Sequence, residues 1–190
     1  MNNTQYRQVF TRLEALPAGT DSFARCRFEN CRLPGAVLNG LTFEDCLFFG
    51  CDLSLAQVTG TAFKNVVFEE CKLQGLPLYA CARWLLAVRF KKCMLRFASF
   101  AGLPLKKTVF EECDLREASF VQTLLQEASF VRCDLTHASF LHTHLEKTDF
   151  TTSFGLALDP ETNCLRGARF SVYSLPGLLT KYGIVTDELS

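Results

Sequence analysis

Large apolar side chains recur at every fifth position of this chain. One unbroken series runs from Phe23 to Leu78, and a second runs from Phe90 to Phe150. A small side chain, mostly Cys or Ala, stands two positions before most of the large ones, and the other three positions of each repeat are mostly polar. Neither a helix nor a flat strand has a five-residue period. The pattern therefore predicts one large and one small buried residue in every five.

A longer period of twenty residues is superimposed on the short one, because the large residues of the first block read Phe-Phe-Leu-Leu, then Phe-Phe-Leu-Val, then Phe-Phe-Leu-Leu. We therefore predict an all-β fold, a right-handed quadrilateral β-helix in which four five-residue sides make one coil. Stacking of like on like places Phe23, Phe43 and Phe63 in one column and Cys31, Cys51 and Cys71 in another. Residues 21–170 correspond to about 7.5 coils and a rod about 36 Å long.

The chain reads as a single domain, 1–190. Its predicted parts are a first repeat block at 21–78, an interruption at 79–89, a second block at 90–150, a loop at 151–162, a last repeat at 163–170 and a short helix at 174–183. Leu78 and Phe90 are twelve residues apart, so the interruption must contain a bulge, bend or loop. The helix has a Ser at its start, an early Pro and a closing Gly. It covers the open edge of the last coil or pairs two subunits.

The sequence carries no sign of membrane insertion, export or bound cofactors. It has no apolar run of membrane-spanning length and no signal peptide at its start, so we expect a cytoplasmic protein with reduced cysteines. The ten cysteines contain no CxxC pair, which favours interior packing over zinc binding. His137, His142 and His144 occupy outward positions, where solvent-exposed side chains are favoured over a shared metal ion. We expect no metal and no cofactor.

Catalytic motifs are also missing, and a rod with a filled core offers no obvious pocket, so the sequence favours a binding protein over an enzyme. Charge is distributed unevenly along the chain. Residues 1–110 contain fourteen basic and eight acidic residues, a net charge of +6, whereas residues 111–190 contain six and twelve, a net charge of −6. Lys91, Lys92, Lys106 and Lys107 in the positive half are candidates for contact with nucleic acid or with an acidic partner.

The densest acidic segment is 111–150, with a net charge of −5 from eight acidic and three basic residues. Over two coils, about 10 Å of rod, duplex DNA carries about six charges, so the linear charge densities are comparable. An ordinary solvated surface is the alternative interpretation. The candidate partner-binding residues are Glu111, Glu112, Asp114, Glu117, Glu127 and Asp134.

The segments CDLRE, ASFVQ and ASFVR resemble the repeats of the pentapeptide-repeat family over residues 21–170. The segments KLQGLPLYACARW, LRFASFAGLPLKKTVFEECDL and DPETNCLRGARFSVYSLPGLLTKYGI are similar to the topoisomerase-protecting subgroup, which includes the Qnr quinolone-resistance proteins and the immunity proteins for microcin and albicidin. The resemblance implies a non-enzymatic rod that binds DNA gyrase or topoisomerase IV, mimics duplex DNA in shape and charge, and relieves poisoning by a toxin or drug.

The same resemblance implies a homodimer formed through the C-terminal helix. It would place Leu175, Leu178, Leu179 and Tyr182 at a two-fold interface and the acidic coils in the middle of a rod about 70 Å long. It also makes Arg83 and Trp84 in the interruption candidates for partner contact, although a hydrophobic plug is an alternative role for the Trp84 side chain. A structural or scaffolding repeat protein with an unrelated protein partner remains the second functional hypothesis.

Overall fold

The computed structural model describes residues 3–184 and shows a right-handed β-solenoid whose successive coils pair in parallel, with a short C-terminal helix. This confirms the predicted fold class. The described strands are β1 (Thr4–Tyr6), β2 (Val9–Thr11), β3 (Ser22–Ala24), β4 (Arg27–Glu29), β5 (Thr42–Glu44), β6 (Leu47–Phe49), β7 (Ala62–Lys64), β8 (Val66–Glu69), β9 (Val88–Lys91), β10 (Val109–Glu111) and β11 (Ser129–Val131). The helix α1 spans Pro176–Leu179, and 3-10 turns occupy Leu78–Ala80, Val172–Ser174 and Thr180–Tyr182.

The four sides of the coil, here called the first to fourth faces in chain order, pair with the same sides of the neighbouring coils. The first face contains the sheet β1-β3-β5-β7 and continues towards the C-terminus through bridges from Leu124 to Cys164. The second face is the sheet β11-β10-β9-β8-β6-β4-β2. The third face has bridges such as Asp114↔Asp134, and the fourth has bridges such as Ser119↔Ser139. Most partners are twenty residues apart, as the sequence period predicts.

Stacked phenylalanine rings fill the centre of the rod. Phe23 lies over Phe43 with ring centroids 5.2 Å apart and planes within 5° of parallel. Rings on adjoining faces meet edge to face, as Phe43 and Phe48 do at 5.3 Å and 66°. Both arrangements are favourable for aromatic pairs. Each coil thus covers the apolar interior of the next, which a single coil could not bury by itself.

The small inward positions carry a second regular contact. The Cys51 thiol donates to the carbonyl of Phe28 at 3.3 Å, and the Thr143 hydroxyl donates to that of Phe120 at 2.8 Å, both across 23 residues. Threonine therefore takes the place of cysteine in this position, although the repeat pattern predicted only Cys and Ala there. Nine of the ten cysteines are buried, whereas Cys164 is exposed. Burial raises the pKa of Cys46 and Cys81 to about 11, so these two thiols stay protonated at neutral pH.

An N-terminal coil precedes the first repeat block. Strand β1 pairs with β3, and β2 pairs with β4, so that Phe10 lies opposite Phe28 and stacks on its ring at 5.1 Å. The partners here are eighteen residues apart instead of twenty. Because of this shorter offset, the N-terminal coil lies outside the five-residue period of the sequence.

The interruption accommodates two extra residues. Phe68 pairs with Phe90 across 22 residues, and the chain between them forms the 3-10 turn Leu78–Ala80 and then a projecting loop. Trp84 is 64% exposed, so its interpretation as a hydrophobic plug is wrong. The Lys64 ammonium lies 5.1 Å from the centroid of the Trp84 ring, a cation–π contact on the surface.

The C-terminal helix packs against the loop that follows the second repeat block. A Cβ atom on Gly177 would lie 1.9 Å from the carbonyl oxygen of Leu156, so only glycine permits this approach. The Leu158 amide donates to the Gly177 carbonyl at 3.2 Å. Lys181 forms an ion pair with Asp159 at 2.8 Å. The helix and the loop therefore form one packed cap beside the last coil.

Candidate partner-binding surfaces

The six predicted acidic residues do not share one face. Glu111 and Glu112 lie at the end of the second face, Asp114 and Asp134 lie one above the other on the third, and the remaining two belong to other corners of the coil. A single flat partner could contact only part of this set. The densest acidic group consists of Glu111, Glu112 and Asp114, which lie around one corner of a single coil.

Each of these six carboxylates has a basic partner. The pairs are Glu111 and Glu112 with Arg132, Asp114 and Asp134 with Arg116, Glu117 with Arg96, and Glu127 with Lys106 and Lys107. Many of the partners stand about twenty residues away in the chain, on the next coil. The acidic coils therefore carry interleaved ion pairs, and only their unbalanced remainder contributes to the net negative charge.

Hydrogen bonds from arginine lower the pKa of two of these carboxyl groups. The Arg132 guanidinium donates to Glu112 and lowers the pKa of that carboxyl. The Arg116 guanidinium likewise lowers the pKa of Asp114 and also lies 3.5 Å from Asp134. Two carboxylates thus share one guanidinium on the third face, which leaves an excess of negative charge there.

The basic residues of the first half also line a groove. It has a volume of about 490 Å³, lies beside the interruption, and is bordered by Arg89, Lys91, Lys106 and Lys107. Lys91 pairs with Glu69 at 2.9 Å, whereas Arg89 forms no ion pair with another described residue. Arg83 lies on the other side of the interruption, with its guanidinium beside Gly102. None of the ion pairs formed by the six acidic residues includes Arg83.

Apolar side chains are exposed at the C-terminal end of the rod. Tyr173 is 83% exposed, and Val172, Leu175 and Tyr182 also project into solvent. Leu178, in contrast, packs against the core, so it contributes to the cap itself. The residues predicted from the sequence lie within the helix, whereas Val172 and Tyr173 stand in the turn just before it. Their signal was a pair of large apolar residues directly after the last repeat.

Apart from the Arg83 guanidinium, which reaches the corner at Gly102, the fourth face carries no charged side chain over a long stretch. Its outward positions from Val37 to His142 contain no Asp, Glu, Lys or Arg, and the bridged column Ser99, Ser119 and Ser139 runs along it. All three other faces carry charges in most coils. The fourth face is therefore the chemically distinct side of the rod.

The three histidines lie apart. His137 belongs to the corner after the third face, His142 to the corner after the fourth, and His144 to the first face. The alternative in which they share one metal ion is therefore wrong. Within residues 3–184, no helix is long and apolar enough to cross a membrane.

These features define a class of protein: a repeat rod with a filled core that presents different chemistry on each side. A family model described as a pentapeptide repeat region matches residues 21–83 and 84–153. The chain belongs to the pentapeptide-repeat family.

Individual solved structures show a more distant likeness. A trypsin-treated single-residue variant of QnrB1, described as a plasmid-mediated fluoroquinolone resistance protein, is 22% identical over 98% of this chain and 99% of its own, with a TM-score of 0.47. HetL, described as involved in heterocyst differentiation regulation in the cyanobacterium Nostoc, is 17% identical over 89% of this chain and 84% of its own, with a TM-score of 0.34. No curated protein sequence matches the chain significantly.

Proposed function

We propose that this pentapeptide-repeat protein is a non-enzymatic, cytoplasmic homodimer that binds DNA gyrase or topoisomerase IV and protects it from a poison such as a quinolone or a peptide toxin. The proposal requires neither a cofactor nor direct contact with nucleic acid. It rests on the sequence resemblance of the interruption and the C-terminal segment to the topoisomerase-protecting subgroup, together with two features of the rod.

The observation that carries the proposal is the position of the exposed apolar end next to the acidic coils. Val172, Tyr173 and Leu175 lie beyond the last repeat, about one coil past the segment with a net charge of −5. Pairing of two copies at this end would bury those side chains and put both acidic segments at the centre of one continuous rod. The positive halves would then form the two tips.

The ion pairs on the acidic coils are compatible with a basic partner. Exposed pairs such as Glu112 with Arg132 contribute little to stability, because water and salt screen them. Lysine and arginine side chains of a DNA-binding surface can therefore replace the internal cations at small cost. The excess of carboxylates over guanidinium groups at Asp114 and Asp134 provides the net attraction.

The test is gyrase supercoiling in vitro with added protein, in the presence and absence of a quinolone, microcin or albicidin-type poison. We expect the wild-type chain to restore supercoiling in the presence of at least one poison. A variant with Glu111, Glu112 and Asp114 all changed to Lys should lose this effect. A matched control with Glu44, Asp45 and Asp52 changed to Lys reverses the same number of charges in the positive half, and should retain it.

Absence of rescue together with absence of binding to either topoisomerase would reject the proposal. Equal rescue by both triple variants would reject only the role of the acidic coils.

The uncharged fourth face favours a second candidate, a scaffold that binds an unrelated protein. The core of a protein interface is depleted in charged residues, and the fourth face has this property over several coils. Substitution of Ser119 and Ser139 by Glu would put charge into the middle of this face. Loss of a partner captured by the wild-type chain, with topoisomerase protection absent or unchanged, would support the scaffold.

A further inference from the structure

Three potential metal ligands meet on the first face near the C-terminal end. His144 and Cys164 form a bridge between successive coils, and Glu146 follows His144 on the same strand segment. The ligand atoms of the imidazole, the thiol and the carboxylate all lie within 4.8 Å of one another. His144 Nδ1 lies 3.3 Å from Glu146 Oε1. No other group of three such side chains is this close within residues 3–184.

Cys164 differs from the other cysteines in position and exposure. The other nine are buried, and those of the stacked column, such as Cys133, donate to a backbone carbonyl of the preceding coil. Cys164 stands instead in an outward position, one residue before the inward Leu165, and its thiol faces solvent. Interior packing, which explains the other thiols, therefore does not explain this one.

One oxygen of Glu146 is also left without a partner. Its Oε2 atom is shielded from solvent and accepts no hydrogen bond from any described residue. Arg166 follows Glu146 one coil later but forms no ion pair with a described carboxylate. A shielded carboxylate oxygen without a donor or cation is energetically unfavourable. A bound cation would remove this cost.

We propose that His144, Glu146 and Cys164 form a binding site for a zinc-class transition-metal ion. Imidazole, thiolate and carboxylate are the ligands that Zn²⁺ takes in proteins, and a hard ion such as Mg²⁺ or Ca²⁺ would not select the thiolate. At zinc–ligand distances of about 2.0–2.3 Å, tetrahedral ligand atoms are about 3.3–3.8 Å apart. The His144–Glu146 distance already fits, and Cys164 needs to approach by about 1 Å at most.

The site would link the end of the rod to the body. His144 and Glu146 precede the loop at 151–162, whereas Cys164 follows it, so a shared ion closes that loop across two neighbouring coils. The last coil is the one next to the C-terminal cap and has no further coil above it. Metal binding would therefore stabilise the end of the solenoid, with water completing the fourth position. This role is independent of the proposed function.

The test uses the reduced full-length protein and its Cys164→Ser and His144→Ala variants. Titration with Zn²⁺ against a chromogenic chelator should show one ion per chain, and each variant should bind about tenfold or more weakly. Co²⁺ should produce a thiolate-to-metal charge-transfer band that Cys164→Ser abolishes. His142→Ala, an exposed histidine two residues away, is the matched control and should bind like the wild type.

Thermal unfolding gives a second readout. Zn²⁺ should raise the melting temperature of the wild type and of His142→Ala, but not that of Cys164→Ser. Equal zinc affinity in the wild type and Cys164→Ser, or a cobalt complex without thiolate absorption, would overturn the proposal. Circular dichroism checks that the variants, all at surface positions, retain the fold.

Discussion

The rings of Phe100 and Phe120 lie one coil apart, with their centroids 4.8 Å from each other and their planes within 1° of parallel. Phe140 continues the same column at 5.0 Å from Phe120. The Phe120 ring therefore has an aromatic neighbour above and below. The rod owes its regularity to such columns, because each ring fixes the position of the next.

Removal of one ring from this column should be costly. Phe120 is fully buried, so Phe120→Ala should lower the free energy of unfolding by about 3–5 kcal/mol through lost burial and a residual cavity. Chemical denaturation followed by circular dichroism measures this change. Phe97→Ala is the control, because Phe97 is 54% exposed and should cost much less. A loss below about 1 kcal/mol for Phe120→Ala would contradict the buried assignment.

The ion pairs on the third face should make the stability of the fold depend on pH in the acidic range. The Arg116 guanidinium lowers the pKa of Asp114 in the folded state, so the ionised carboxylate stabilises the fold at neutral pH. That contribution is present above the unfolded-state pKa of about 3.9 and is lost as the pH falls through the lower folded-state value. Arg116→Gln should reduce stability at pH 7 and flatten the acid dependence below about pH 4.

Melting temperatures measured across this range test the prediction. Arg7→Gln, which removes a cation from the N-terminal coil, serves as the control and should leave the acid dependence unchanged. An Arg116→Gln profile that is merely shifted downwards, with the same slope, would show that this pair does not contribute to the pH dependence.

The sequence predicted the coil, its four sides and the inward residues because all of these follow from one-dimensional spacing. It did not predict the N-terminal coil, whose offset of eighteen residues breaks the period between Phe10 and Phe28. Nor did it predict that Arg132 neutralises Glu112, since this pairing depends on which outward side chains face each other on successive coils. The composition includes the charges of Arg132 and Glu112, but it does not show that these two side chains lie next to each other and neutralise one another.

The surface of the interruption was equally hidden. A single large aromatic residue at a break in the repeat fits a buried plug as well as a projecting side chain, and the pattern could not distinguish the two for Trp84. The structure resolves this because the two extra residues are extruded outward, while the buried Cys81 keeps the core closed. The metal site proposed at His144 was missed for a related reason: its ligands come from two coils and three residue types.

The C-terminal end should control assembly. Tyr173 is almost fully exposed and makes no contribution to the core, so Tyr173→Asp should leave the fold intact and disrupt an apolar two-fold contact. Light scattering coupled to size exclusion should show a dimer for the wild type and a monomer for the variant. Tyr79→Asp changes an exposed tyrosine on the fourth face and should remain dimeric. Identical masses for all three proteins would argue against this interface.

Gly177 provides the sharpest test of how the cap is held on the rod. Any side chain there would meet the Leu156 carbonyl at 1.9 Å, so Gly177→Ala must displace either the helix or the loop. Gly183→Ala is the matched control, because Gly183 has a φ of 63° and no atom close to the added methyl group. Its cost should be only the roughly 1–2 kcal/mol of a left-handed alanine.

Hydrogen exchange at the Leu158 amide reports the difference, since this amide donates to the Gly177 carbonyl. Exchange should become faster in Gly177→Ala and stay close to the wild-type rate in Gly183→Ala. The same displacement should release Lys181 from Asp159 and thereby weaken the proposed dimer, because the exposed residues around Tyr173 follow the last coil next to this cap. Unchanged exchange in Gly177→Ala would mean that the helix does not pack on Leu156.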